Sequence, residues 1–172
     1  MPHDTMTPPA LVVFAHGKES GPWGSKIKHL AAIAERLGMQ IISPDYSDLM
    51  DPDARVARLL ALPLPPHDRL ILVGSSMGGY VSCIASSTLA PAGLFLMAPA
   101  VGVAGYTYPP AKASHIAIVM GWHDEIIPVG NVYTFAQTLQ ADLHLLNADH
   151  RLEGVLPKVG ELFERFLQRA LV

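Results

Sequence analysis

The sequence contains little cysteine, little charge and no long hydrophobic run. Its 172 residues include one cysteine, and 16% of the side chains are charged against 50% that are hydrophobic. One cysteine excludes an internal disulfide and fits a reducing compartment. The longest apolar run has about six residues, far fewer than the roughly 18 that span a bilayer. Because half of the chain is apolar, it is not a disordered protein, and we expect a soluble, cytoplasmic, globular one.

Neither positive nor negative charge is in large excess in the sequence. The formal net charge is −3, and lysine and arginine form no runs. We therefore expect neither nucleic acid nor a membrane surface as a partner. The first residues have neither the basic start nor the apolar stretch of a signal peptide, and residues 1–9 are expected to form a flexible tail. At about 100–200 residues per domain, residues 1–172 are predicted to form one domain, present as a monomer or a homodimer.

Six short apolar runs, rich in Val, Ile and Leu and bounded by Gly or Pro, have the pattern of strands buried on both faces. They cover residues 11–15, 40–43, 70–73, 94–98, 116–120 and 143–146. Segments with helical periodicity lie between most of them. The sequence therefore predicts an α/β fold, a three-layer α/β/α sandwich with a mostly parallel sheet of about six strands.

Two helix starts can be predicted from capping residues. Ser25 is expected to cap the first helix, which would bury Leu37 near its end and stop at Gly38. Asp51 followed by Pro52 predicts the start of the second helix, because proline suits the first helical position.

The segment 74–79, Gly-Ser-Ser-Met-Gly-Gly, follows a predicted strand and opens a predicted helix. It matches the pattern G-x-S-x-G with Ser76 at its centre. A serine on such a tight turn is exposed as a nucleophile, and residues two positions away must be small. The following helix directs its positive end at the site, which makes the amide of Met77 an oxyanion donor. The alternative is a glycine-rich turn without chemistry.

A nucleophilic serine needs a base, and the base needs an orienting carboxylate. Asp124 follows the fifth predicted strand, and His150 follows the sixth. The order Ser76, Asp124, His150 is that of the α/β-hydrolases. The alternatives are that Asp124 only caps a turn, that Glu125 or Asp149 is the acid, and that the histidine is an ordinary loop residue.

The loop after the first predicted strand is expected to supply a second oxyanion donor, the amide of Lys18. We expect the substrate pocket to be lined by His16, Gly17, Trp122 and His123. No H-E-x-x-H motif or cysteine pair is present, so neither a metal nor a cofactor is predicted.

These motifs extend over nearly the whole chain and resemble the α/β-hydrolase superfamily. Similarity is greatest to small YqiA-type bacterial esterases and to dienelactone-hydrolase-like enzymes, through the His16-Gly17 loop, the Gly-Ser-Ser-x-Gly-Gly-Tyr turn and the Asp124-Glu125 turn. The resemblance implies Ser76 as nucleophile, His150 as general base and acid, and Asp124 as its orienting group. Relative to this family, the chain begins at the third strand and has no room for a helical cap between the fourth and fifth predicted strands.

An open, capless site favours small or short-chain carboxylic esters as substrates, cleaved through an acyl-serine intermediate. Two alternatives remain: a thioesterase or dienelactone-hydrolase-like enzyme with the same residues, and a non-catalytic interaction module on a hydrolase scaffold.

Overall fold

A computed structural model describes residues 6–172 and contains a six-stranded sheet in which all neighbouring strands are parallel. The strands are β1 (Leu11–Ala15), β2 (Gln40–Ile42), β3 (Leu70–Ser75), β4 (Gly93–Met97), β5 (His115–Gly121) and β6 (Asp142–Leu146). Their spatial order is β2-β1-β3-β4-β5-β6. The predicted α/β class and strand number are confirmed. Residues 1–5 of the expected flexible tail lie outside the described residues.

In the described part of the chain, five α-helices cover the two faces of the sheet. They are α1 (Ser25–Arg36), α2 (Pro52–Ala61), α3 (Met77–Leu89), α4 (Val129–Leu139) and α5 (Leu156–Ala170). Helices α1 and α5 share a hydrophobic cluster with one face, and α2, α3 and α4 share a second cluster with the other. Successive strand residues point to opposite faces, so Val13 belongs to the second cluster and Phe14 to the first. The result is the predicted three-layer sandwich.

The edge strands differ from the prediction. Strands β1, β3 and β4 are buried throughout, and β5 is buried from Ala117 onward. In contrast, every residue of β2 is half-buried, and β6 has one exposed residue followed by four half-buried ones. The expectation that all six strands are buried on both faces is therefore wrong for β2 and β6. An apolar run shows that a strand meets the core, but the run does not show whether the strand has one neighbour or two.

One of the two predicted helix starts is confirmed. Asp51 Oδ2 accepts a hydrogen bond of 3.0 Å from the amide of Ala54, as expected of a cap. The prediction for Ser25 is wrong: Gly24 occupies the capping position, and the Ser25 hydroxyl donates to Glu153 at 3.3 Å. Leu37 is 37% exposed rather than buried, because it lies just past the end of α1.

The strand order places a crevice between β1 and β3. The chain moves from β1 outward to β2 and then returns to the other side of β1 to form β3. The helix after β1 packs on one face, and the helix after β3 packs on the other. The loops that leave the carboxyl ends of these adjacent strands therefore diverge, which is where open α/β sheets bind ligands.

The connection between β4 and β5, residues 98–114, contains no helix. It forms a tight turn with a bridge between Val103 and Tyr106, and Tyr106 packs edge-on against Tyr80 of α3 with ring centroids 5.2 Å apart. No insertion therefore covers the carboxyl edge of the sheet at this connection. Within residues 6–172, no helix combines the length and hydrophobicity needed to cross a bilayer.

Candidate active site

Ser76 lies at the turn between β3 and α3 with a backbone conformation that side chains rarely adopt. Its φ is 53° and its ψ is −116°. Such a conformation costs about 1–3 kcal/mol and persists only where the surroundings enforce it. The amide of Ser76 donates to Met97 at 3.0 Å, and its carbonyl accepts from Gly79 at 2.9 Å and from Ala100 at 3.0 Å. Both peptide groups of the serine are thus tied to neighbouring elements.

The two outer glycines of the motif are required by close backbone contacts. A Cβ atom on Gly74 would overlap the carbonyl group of Gly78, and a Cβ atom on Gly78 would overlap the carbonyl group of Ala15 in β1. Both obstacles are backbone atoms, which cannot rotate away. The expectation that small residues flank the serine is therefore confirmed, with α3 lying directly against β1.

The side chains of Ser76, His150 and Asp124 form one hydrogen-bonded series. His150 Nε2 lies 3.1 Å from Ser76 Oγ, and His150 Nδ1 lies 2.6 Å from Asp124 Oδ2. The second oxygen of Asp124 accepts from the amides of Ile126 at 2.8 Å and Ile127 at 2.7 Å. The three residues that the sequence predicts as catalytic lie in three separate loops, and the structure brings them into contact.

These hydrogen bonds stabilise the negative charge on Asp124. Its side chain is fully buried, and burial, the largest single influence, raises the pKa of its carboxyl group. The hydrogen bonds from His150, Ile127 and Ile126 more than offset burial, so the pKa is lowered overall. Asp124 is consequently a carboxylate at neutral pH and can only accept from the histidine, which leaves the proton of a neutral ring on Nδ1.

The loops that carry Asp124 and His150 are joined beyond the ends of their strands. The amide of Trp122 donates to Leu146 at 2.8 Å, and the amide of His123 donates to Ala148 at 3.0 Å. A Cβ atom on Gly121 would overlap the carbonyl group of Ala148. Sequence reasoning missed this glycine, although its position directly before the acid-bearing turn was visible.

The competing carboxylates have other partners or none. Asp149 Oδ1 accepts from the amides of Arg151 at 3.1 Å and Leu152 at 3.2 Å, which fixes the turn that presents His150. Glu125 forms no hydrogen bond or ion pair with the histidine among the described residues. Asp124 is the carboxylate in contact with His150.

The first loop lies beside the serine. A Cβ atom on Gly17 would come within 3.7 Å of Ser76 Cβ, so this glycine is adjacent to Ser76. Lys18 is exposed. Within residues 6–172, the amides of Lys18 and Met77 donate no hydrogen bond. Their assignment as oxyanion donors remains a prediction.

Three predicted pocket residues differ in their surroundings. Trp122 is 56% exposed, and His123 Nε2 lies 2.8 Å from Asn147 Oδ1. His16 is fully buried; its Nε2 accepts from the amide of Tyr46 at 2.9 Å and its Nδ1 donates to Gly17 at 2.7 Å. The expectation that the His16 side chain lines the pocket is therefore wrong, because the ring points into the protein and is hydrogen-bonded to the backbone there.

No group of three or more His, Cys, Asp or Glu side chains within residues 6–172 is arranged to hold a metal ion. Two cavities lie away from Ser76. One of about 120 Å³ is lined partly by His115 and Arg169, and one of about 270 Å³ lies between α4 and β6.

A three-layer α/β sandwich with a serine on a strained strand-to-helix turn defines the α/β-hydrolase class. A solved structure from Xanthomonas campestris, of a proposed hydrolase of this superfamily, is 33% identical to the chain, with a TM-score of 0.84. The match covers 94% of this chain and 99% of that one. The chain belongs to the α/β-hydrolase superfamily. No protein-family model and no curated protein matches it.

Two further structures have the same fold at lower identity. A second protein from Xanthomonas campestris, an α/β serine hydrolase without a lid, is 23% identical with a TM-score of 0.67, covering 97% of this chain and 84% of that one. Dienelactone hydrolase from Anabaena variabilis is 19% identical with a TM-score of 0.77, covering 94% of this chain and 87% of that one. At these identities, the two similarities show the shared fold alone.

The contact between Gly78 and Ala15 predicts a large effect of one methyl group. Gly78→Ala should lower the free energy of unfolding by about 1–3 kcal/mol or more, because the obstacle is backbone. Gly130→Ala is the matched control: nothing lies within 4 Å of its added Cβ, and alanine favours helix α4, so stability should stay equal or rise by up to about 1 kcal/mol. Thermal unfolding of the two variants measures the difference. Equal melting temperatures would contradict the contact.

Proposed function

We propose that the protein is a serine hydrolase that cleaves small or short-chain carboxylic esters through an acyl-serine intermediate. The observation that carries the proposal is the series Asp124 Oδ2 to His150 Nδ1 at 2.6 Å and His150 Nε2 to Ser76 Oγ at 3.1 Å. A hydroxyl, a base and a carboxylate in this geometry form an activated nucleophile.

In the first half of the reaction, Ser76 Oγ attacks the ester carbonyl carbon while His150 Nε2 accepts the hydroxyl proton. The carbonyl electrons move to the oxygen, and Asp124 stabilises the imidazolium that forms. The tetrahedral intermediate collapses when His150 returns the proton to the leaving alcohol oxygen, which gives the acyl-serine and a free alcohol.

In the second half, water attacks the acyl-serine and His150 accepts its proton. Collapse of this second intermediate returns a proton to Ser76 Oγ and releases the carboxylic acid. In both halves the oxyanion would be bound by the amides of Met77, the first residue of α3, and Lys18, which follows Gly17 in the loop beside Ser76.

The proposed substrate range rests on how open the site is. The β4–β5 connection has 17 residues, 98–114, and no helix to cover the serine. Ser76 is half-buried, and the side chain of His150 is 15% exposed. An open site offers little surface to hold a long acyl chain, so short esters should react with the highest kcat/KM.

Ser76→Ala should abolish ester hydrolysis, with turnover at least about a thousandfold lower, since residual rates without a triad serine are very small. The measurement is hydrolysis of p-nitrophenyl esters and matching thioesters of graded chain length, together with labelling by a fluorophosphonate probe. Ser75→Ala, which changes the neighbouring serine, is the control and should still be labelled. Failure of the wild type to react with the probe would favour a non-catalytic module, and a preference for thioesters would replace the proposed ester substrate.

Asp124→Asn should lower kcat by about 10³–10⁴-fold with little change in KM. The asparagine oxygen can still accept from the amides of Ile126 and Ile127, but its NH₂ group would face His150 Nδ1 and select the wrong tautomer. Asp149→Asn is the matched control, because its oxygen can likewise accept the two amide bonds of its turn. If Asp149→Asn were the damaging change and Asp124→Asn the harmless one, the acid would be misassigned.

The pH dependence should show one ionisation on its acid side. His150 accepts a proton only when its ring is neutral, so protonation at low pH removes activity. Because the pKa of Asp124 is lowered, this carboxylate stays ionised over the same range and adds no second step. We expect kcat/KM for a short ester to rise with pH along a slope that corresponds to one proton and then to reach a plateau. A flat profile, or a slope that requires two protons, would contradict a histidine base.

A further inference from the structure

Arg55 on helix α2 is a fully buried arginine, at 0% exposure, and no carboxylate pairs with it among the described residues. Its guanidinium lies 5.6 Å from the ring centroid of Tyr46, which is also fully buried. Its Nη2 and the Tyr46 hydroxyl have no hydrogen-bond partner within residues 6–172. Burying a charge without an opposite charge is unfavourable, so an apolar side chain would be the more stable choice on this face of α2.

The hydrogen bonds of Arg55 go to backbone carbonyl groups of two loops. Nε donates to Leu49 at 2.8 Å in the loop before α2. Nη1 donates to His16 at 2.9 Å and to Gly17 at 3.2 Å in the loop after β1. The guanidinium therefore connects the loop beside Ser76 to the body of the protein.

The Gly17 carbonyl accepts from two buried donors, Arg55 Nη1 and His16 Nδ1. The described peptide bonds are all trans, and in a trans peptide the N–H points opposite to the C=O. Fixing the Gly17 carbonyl toward the interior therefore turns the amide of Lys18 outward. Gly17 itself lies beside Ser76, so this peptide borders the proposed reaction centre.

We propose that Arg55 is a positioning residue for the oxyanion site: it holds the Gly17–Lys18 peptide so that the Lys18 amide meets the developing oxyanion. The inference rests on the proposed function, and it concerns a residue that does not touch substrate. Both halves of the reaction pass through an oxyanion, so a misdirected amide slows turnover whichever half limits the rate. Substrate binding in the ground state depends less on that amide.

Arg55→Met removes the charge and the donors but retains a side chain that can fill apolar space. We expect kcat to fall by about 10²-fold, near the effect of losing an oxyanion donor, with KM changed little. Affinity for a trifluoromethyl ketone should fall in parallel with kcat/KM. Ser76 Oγ adds to the ketone carbon, the carbonyl oxygen becomes an oxyanion, and His150 takes the proton, so this adduct reports the oxyanion site directly.

Leu59→Ala is the matched control, because Leu59 is a buried residue on the same helix whose side chain has no hydrogen-bonding group. It should lower the melting temperature while the folded enzyme keeps wild-type kcat and ketone affinity. If Arg55→Met does not fold, Arg55→Lys serves instead: it keeps the charge but cannot reach all three carbonyl groups, and kcat should fall at least about tenfold.

Wild-type kcat and ketone affinity in the folded Arg55 variants would overturn the inference and leave the proposed function intact. A wild-type protein that neither hydrolyses esters nor reacts with the fluorophosphonate probe would instead overturn the proposed function. Equal losses of kcat in Leu59→Ala and Arg55→Met, without loss of ketone affinity, would also overturn the positioning role, since general destabilisation would then account for both.

Discussion

The close contact between helix α3 and strand β1 constrains most of the carboxyl edge of the sheet. At Gly78 the helix backbone lies against the carbonyl group of Ala15, and no side chain fits between them. For α3 to approach so closely directly after β3, the chain must turn within one residue. Ser76 makes this turn at a φ of 53°, and hydrogen bonds to Met97 and Ala100 hold it from the side of β4. Regular structure on both sides thus holds the serine in its strained conformation.

Strand order then determines which loops can reach the serine. The reversal at β1 makes β1 and β3 neighbours in the sheet, so that Gly17, which follows β1, borders Ser76 on one side. On the other side, β5 and β6 end next to each other, and backbone hydrogen bonds join their loops beyond the last ladder pairs. Asp124 and His150 therefore approach the serine on a rigid support, and the glycine at 121 allows the two loops to touch.

Buried polar groups hold the first loop in place. His16 and Arg55 both donate to the Gly17 carbonyl, and burial, the largest influence on His16, lowers the pKa of its ring. A neutral ring is required here, because Nε2 accepts from the amide of Tyr46 while Nδ1 donates. Burial likewise lowers the pKa of Arg55, yet a guanidinium remains charged in proteins. These groups give the loop a defined conformation, although it contains three glycines between His16 and Ser25.

Local patterns in the sequence by themselves determined the strands, the helices and the serine turn. Short apolar runs can be recognised because strands in a parallel sheet are covered by helices. Asp51 acts through the nearby amide of Ala54, and Gly74 acts through the nearby backbone of Gly78. Tertiary structure alone decided which strands lie at the edges, that Leu37 is exposed, and that His16 points inward. It also decided the partners of Arg55, which the helical pattern of α2 did not reveal. These outcomes depend on contacts between residues far apart in the chain. A single sequence does not show which of its distant residues are in contact.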